Sequence, residues 1–181
     1  MIGVVLARRY AKAVIDLAQE AGVLREVGSD LHHIAELFAR SHELVNVFSD
    51  PTVAPEAKEK VLADVLEKGG VQDLTMKFIH VVLRKGRVLG IGEIALAYRD
   101  ILDRLENRVR ARVVSAVRLS DKEERSISEA LSKISGKEVI LEIELDESLL
   151  GGVVTYMGSQ VYDGSIKNQL TQIKDNLSKG R

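Results

Sequence analysis

Histidines are the first residues to weigh for chemistry, because imidazole ligates metals and moves protons near neutral pH. His32 and His33 are adjacent, and on a helix neighbours diverge by about 100°, whereas ligands on one face stand three or four apart. His32 and Glu36 have that spacing, but one imidazole and one carboxylate do not make a metal site. His42 and His80 lie in other segments. Glu123 and Glu124 open a helical pattern, and Glu142 and Glu144 fall on the polar side of an alternating run. Each acid therefore has a structural use before any acid-base one. Asp163-Gly164-Ser165 could hold a nucleophile in a sharp turn, yet no histidine follows it. A turn and a helix cap explain all three residues.

Gly90-Ile91-Gly92-Glu93-Ile94-Ala95 has the spacing of a dinucleotide-binding turn. That turn needs a strand before it and an acid about twenty residues later. Here the preceding segment is helical in pattern and Arg110 to Val114 holds no acid, so the glycines read as a loose start to a helix. Arg104, Arg108, Arg110 and Arg112 form the one basic cluster worth naming. Without interleaved aromatics it makes a poor single-strand platform, and a solvated strand face is the expectation. No cofactor, catalytic group or metal site is expected.

Composition narrows the classes further. With 181 residues, 45% of them apolar, there is material for one ordinary domain or two small ones. Twenty-six basic against twenty-seven acidic residues leave a charge of -1, spread evenly, so the electrostatic footprint of a nucleic-acid binder is missing. No cysteine is present, which removes disulfides, zinc knuckles and thiol nucleophiles. No uncharged apolar run approaches the roughly eighteen residues of a membrane span. Met1 to Leu6 precede rather than follow the basic residues Arg8, Arg9 and Lys12, the wrong order for a signal peptide. The chain is expected in the cytoplasm unless something else brings it to a membrane.

Hydrophobic spacing defines the elements. Leu6, Tyr10, Ala13, Val14, Leu17 and Ala21 recur at three and four and stop at Gly22. Leu24, Val27, Leu31, Ile34 and Phe38 repeat the step, and further helices are predicted over 43–48, 55–66, 71–83 and 91–105. None could bury its face alone, which predicts a bundle of six helices. Near Arg108 the period becomes two, predicting a strand through Val109, Ala111, Val113, Ser115 and Val117. Ser120 and Glu123 form a capping-box pattern opening a helix. Val139, Leu141, Ile143 and Leu145 alternate again. Gly152–Met157 and Gln160–Asp163 read as a hairpin around Gly158-Ser159, and Ser165 caps a last helix carrying Ile166, Leu170, Ile173 and Leu177. The fold class expected is α+β with two domains: a six-helix bundle over residues 1–106 and a small mixed α/β domain over 107–181.

Apolar surface remains on two helices. Val4, Val5, Ala7, Tyr10, Ala11, Val14 and Ala18 cover more of the first helix than one contact needs, and Ile79, Val81, Val82 and Leu83 crowd the fifth. These residues either complete the core or line a groove for a partner's amphipathic helix, a mode that needs no charge or catalytic group.

Two stretches carry a resemblance. Ala7-Arg8-Arg9-Tyr10-Ala11-Lys12-Ala13 is one. The other is Leu150-Gly151-Gly152-Val153-Val154 with Gly158, Asp163-Gly164-Ser165-Ile166 and Leu170. Together they resemble the opening and closing signatures of the ATP synthase delta subunit family, which includes the mitochondrial oligomycin-sensitivity-conferring protein. Pro51-Thr52 before Lys58, and Lys85-Gly86-Arg87-Val88 leading to Val113-Val114-Ser115-Ala116, fall where that family has similar residues. Ser159, Tyr162 and Asn168 depart from its usual choices.

The resemblance implies a non-catalytic subunit of the F-type, proton-transporting ATP synthase, lying in the peripheral stalk on the cytoplasmic face of the inner membrane. Its N-terminal domain would hold the N-terminal helix of an alpha subunit between the first and fifth helices, through Tyr10, Ala13 and Val14 and through Phe78, Val81 and Val82. Its C-terminal domain would receive the end of the b subunit. Gly151, Gly152, Gly158, Asp163, Gly164 and Ser165 are assigned to turns and a cap. Two other readings remain open from the residues: a small ligand-binding enzyme using Gly90 to Ala95, and a helical adaptor for some other assembly.

Overall fold

The computed structural model of the protein describes residues 2–149, 151–166, 168 and 170. The chain divides into two compact units between Leu102 and Asp103. Helices α1 (Val4–Ala21), α2 (Leu24–Arg40), α3 (His42–Ser49), α4 (Pro55–Lys68) and α5 (Asp73–Arg84) come first. A single 3-10 turn over Val88–Gly90 then leads into α6 (Ile91–Leu105). The boundary between the units thus falls inside α6, and its last turn belongs to the second unit.

Local chemistry sets several of these ends. Pro55 opens α4, where its missing N–H has no intrahelical partner to lose. The Ser41 hydroxyl accepts the Leu44 N–H at 3.2 Å and caps α3. At the far end of α3, the Lys58 ammonium donates to the carbonyls of Phe48 at 3.1 Å and Asp50 at 2.7 Å, satisfying groups the helix leaves without partners. The start of α5 is held from another helix. Asp30 Oδ2, on α2, accepts the Gln72 N–H at 2.9 Å and the Thr75 hydroxyl at 2.7 Å. This bond, invisible in local pattern, starts α5 at Asp73 rather than at Val71.

The core of this unit is one cluster to which every helix from α1 to α6 contributes, with Val14, Ile15, Leu31, Ile34, Leu62, Leu66, Ile79, Val82, Ile94 and Tyr98 all essentially inaccessible. Burying side chains of this size is worth about 1.5–3 kcal/mol each. The amphipathic stripes read in the sequence therefore meet in a common interior.

The second unit comprises the end of α6, β1 (Arg108–Ser115), α7 (Asp121–Ser135), β2 (Glu138–Leu145), a 3-10 turn at Glu147–Leu149, β3 (Val153–Met157) and β4 (Gln160–Asp163). The sheet order is β2-β1-β3-β4. β1 and β2 are parallel, joined through α7, whereas β1 with β3 and β3 with β4 are antiparallel. Mixed pairing with one crossover helix makes the architecture α+β. Ile127 and Leu131 of α7 cover one face of the sheet through Val109, Ala111, Val139, Leu141 and Met157. The capping box at the start of α7 is complete: Ser120 Oγ accepts the Glu123 N–H, and Glu123 Oε2 accepts the Ser120 N–H at 2.8 Å. β2 is an edge strand, and Glu138, Glu142 and Glu144 alternate with Val139 and Leu141, the residues that pack in the cluster with α7.

β1 ends at Ser115, two residues before the predicted end. The Ser115 hydroxyl donates to the Val117 carbonyl at 2.7 Å and accepts its N–H at 3.4 Å, a local loop that takes Val117 out of the ladder. After β4, Ser165 Oγ accepts the Asn168 N–H at 3.2 Å as a cap, and Ile166 and Leu170 are helical. Ile173 and Leu177, read as the rest of that helix, and Leu150 lie outside the described residues.

Candidate partner-binding surface

Helices α1 and α5 meet through two aromatic rings, Tyr10 and Phe78, edge to face with centroids 6.4 Å apart. Around that pair the structure sorts the six residues read as partner-facing. Val14 and Val82 are 0% exposed and belong to the core, so their side chains have no surface to offer. Phe78 is buried and Tyr10 half-buried. Ala13 and Val81 face outward, Val81 with 51% of its surface accessible. Leu17, read in the sequence as part of the core stripe, is also 51% exposed and stands one turn beyond Ala13. The accessible apolar residues around this aromatic pair are therefore Tyr10, Ala13 and Leu17 on α1 and Val81 on α5, while Val4 and Val5 are exposed at the start of α1. Ala13 is small, which allows a second backbone to come close.

The residues with chemical potential are committed elsewhere. His32 Nε2 lies 3.6 Å from Glu36, which also pairs with Arg40 at 3.4 Å, an exposed ladder along α2. Among the described residues no group of three or more metal-ligating side chains converges. Gly90 closes the 3-10 turn and Gly92 sits in the first turn of α6. Ile2 packs over Gly90, so that a Cβ placed there would stand 2.6 Å from its side chain. The space a pyrophosphate would need is filled by an isoleucine. A crevice of about 420 Å³ lies between the end of α3, the start of α4 and the end of α5. Of its polar residues, Lys58 binds two carbonyls and Arg84 pairs with Glu59 at 3.1 Å.

The arginine cluster is not the solvated face expected. Arg108 and Arg110 are largely covered and share Asp103, Arg110 Nε donating to Asp103 Oδ2 at 2.6 Å. Arg110 also donates to Glu142 at 3.1 Å. Burial pulls the Arg110 guanidinium down, but the bonds and charges of Asp103 and then Glu142 outweigh it and hold the group above its ordinary value. Arg112 pairs with Glu144 at 3.3 Å and lies 4.4 Å over the Tyr156 ring. Arg104 remains exposed. A cluster neutralised this fully leaves little charge for a polyanion.

The six turn and cap residues occupy the two ends of the β3–β4 hairpin. Gly158, at φ 61°, opens the two-residue turn, as a type II′ hairpin requires. At the other end the Gly164 N–H donates to Val153 O at 2.9 Å and the Ile166 N–H to Gly151 O at 3.1 Å. Asp163 Oδ1 accepts the Ser165 N–H at 2.9 Å. Gly152 adopts φ 80°, and a Cβ there would stand 2.4 Å from the Gly164 carbonyl. Asp163 and Ser165 thus hold backbone rather than substrate.

The fold and this surface define a class: a helix-rich α+β protein that exposes a short apolar strip on two of its helices. The chain matches the ATP synthase delta (OSCP) subunit family over residues 6–177. It is similar to the ATP synthase subunit delta of Geobacter metallireducens, 37% identical over 180 residues, covering 99% of this chain and 100% of that one. It is likewise 35% identical to the ATP synthase subunit delta of Geotalea uraniireducens over 175 residues, 97% of each chain. Its fold is shared with a chain of the Toxoplasma gondii mitochondrial ATP synthase hexamer, at TM-score 0.70 and 24% identity, covering 95% of this chain and 97% of that one. The chain belongs to the ATP synthase delta (OSCP) subunit family. It is a non-catalytic, structural subunit of a hetero-oligomeric ATP synthase. No helix among the described residues is long and apolar enough to cross a membrane.

Proposed function

We propose that this subunit is a stator bracket of the peripheral stalk: its helical unit grips the N-terminal helix of an alpha subunit and its α/β unit receives the end of the b subunit. Torque from the rotor would otherwise turn the catalytic head, and proton-driven ATP synthesis requires that the head be held still. The observation that carries this reading is the exposed apolar strip of Tyr10, Ala13 and Leu17 beside Val81, set on two helices that already touch through Tyr10 and Phe78. An amphipathic helix laid along it would bury its apolar face as helix-in-groove partners do. Nanomolar holding corresponds to about 12 kcal/mol, within reach of apolar burial at roughly 25 cal/mol per Å² less the cost of association.

On this reading the first six helices act as one bundle, the chain sits on the cytoplasmic face of the inner membrane through its partners, and no cofactor takes part. Titration of the full chain with a peptide of the alpha N-terminus, followed by calorimetry, tests it. Saturable binding lost in a Val81→Asp variant is expected, and absence of binding to the unaltered chain would remove the alpha assignment. Co-purification with the membrane-bound ATPase checks the wider placement.

A further inference from the structure

The corner where α6 turns into β1 is built around a buried acid. Asp103, on the last turn of α6, is only 6% exposed. Its two oxygens face Arg110 Nε at 2.6 Å and Arg108 at 3.4 Å, both on β1. Arg108 also pairs with Glu106, and Arg110, 28% exposed as a side chain, continues to Glu142 on β2. Backbone reinforces the charges. Asn107 turns the chain at φ 54°, a left-handed conformation that asparagine tolerates better than most residues. Its N–H donates to Arg104 O at 3.2 Å, closing the helix, and its carbonyl accepts the Glu138 N–H at 3.2 Å, joining the first residue of β2. A connection of two residues between helix and strand would ordinarily be the natural place for a chain to flex. Here it is tied on both sides.

We propose that Asp103 is the pin of a charge clasp that fixes the last turn of α6 to the β1–β2 half of the sheet, so that residues 103–110 turn as one rigid piece. Asp103 is the most deeply covered of the three acids here and the one that both arginines share, so removing it takes a covered partner from each and leaves them only the more exposed Glu106 and Glu142. The mechanical use of the clasp, carrying load across this corner, rests on the stator reading above; the clasp itself does not.

The test is amide hydrogen exchange on the full chain, comparing Asp103→Asn with Asp100→Asn, an exposed acid of the same helix. The clasp predicts exchange at least about ten-fold faster at the amides of 104–107 and Glu138 in Asp103→Asn, with the β3–β4 amides unchanged. Equal protection in the two variants, or a uniform acceleration through the whole unit, overturns it. Should Asp103→Asn fail to fold, Arg110→Gln, which leaves Asp103 its Arg108 partner, is expected to give the same local pattern in milder form, and its absence there counts equally against the clasp. A reconstituted synthase then separates the two claims: faster local exchange with undiminished proton-driven synthesis overturns the mechanical use alone.

Discussion

Tyr98 Oη donates a 2.8 Å hydrogen bond to the carbonyl of Leu24, a residue 74 positions earlier in the chain. The ring lies against Gly28, where an added Cβ would stand 3.2 Å from Tyr98 Cε1. α2 and α6 are thereby fixed at close range by one aromatic side chain with a satisfied polar tip.

Tyr98→Phe keeps the ring and removes the bond, and is expected to cost about 1 kcal/mol, read as a lower denaturation midpoint in urea. The same residue sets an alkaline limit. Burial, and then the charge of Glu26, push the phenol up to about 12, so folding favours its neutral form. That contribution is complete below the unfolded pKa near 10 and is lost as pH rises from there toward 12. In Tyr98→Phe this part of the stability profile should be flatter; an identical slope in both proteins would contradict the assignment.

Ala13→Asp is expected to leave the melting curve unchanged, because the residue faces outward. It should weaken binding of an alpha N-terminal peptide by about a hundred-fold or more, since a carboxylate would be placed inside an apolar contact. Val82→Ala should do the reverse, lowering stability by roughly 2 kcal/mol through a core cavity. Calorimetry of binding and of unfolding on the two variants separates surface from interior.

Gly152→Val should destabilise the α/β unit by roughly 1–3 kcal/mol, since it combines a strained positive φ with a backbone clash. Thermal melting of the full chain reads this, and a normal melt would refute the role given to the hairpin knot.

Asp30→Ala removes the one oxygen that accepts both bonds, leaving the fully buried Thr75 hydroxyl and the Gln72 N–H without it. The expected cost is roughly 1–3 kcal/mol, with hydrogen exchange rising first at the amides that open α5.

Acid should act on the second unit through its caps. Hydrogen bonds from Ser120 hold the Glu123 carboxyl below its ordinary value, and those from Ser165 do the same for Asp163. A depressed carboxylate stabilises the fold above its unfolded pKa and loses that effect as pH falls through the folded one. Stability should therefore decline below about pH 4, and less so in Glu123→Gln.

Much of this architecture is readable in spacing alone. The three-four stripes place the helices from α1 to α6 within a few residues, and the change to period two marks β1 because alternation leaves no other regular solution. Spacing fixes the direction of a stripe but not its centre, so Leu17 reads as core and lies outside. Val14 and Val82, which spacing leaves open between core and groove and which the family resemblance assigns to the partner, lie in the core. Asp103 gave no sign at all: an acid near a helix end looks solvated until two arginines, five and seven residues on, turn back over it. The same tertiary pairing converted an apparently basic strand into a neutral one.

The outer margin of the sheet has a further consequence. Among the described residues β2 has one side of its backbone without a neighbouring strand, but every second side chain on one flank from Glu138 to Glu144, except Ile140, is glutamate. Glu142 and Glu144 are already paired with Arg110 and Arg112, so two copies laid rim to rim would meet charged, ion-paired side chains rather than an apolar edge. A rim of this kind is a poor template for a further strand.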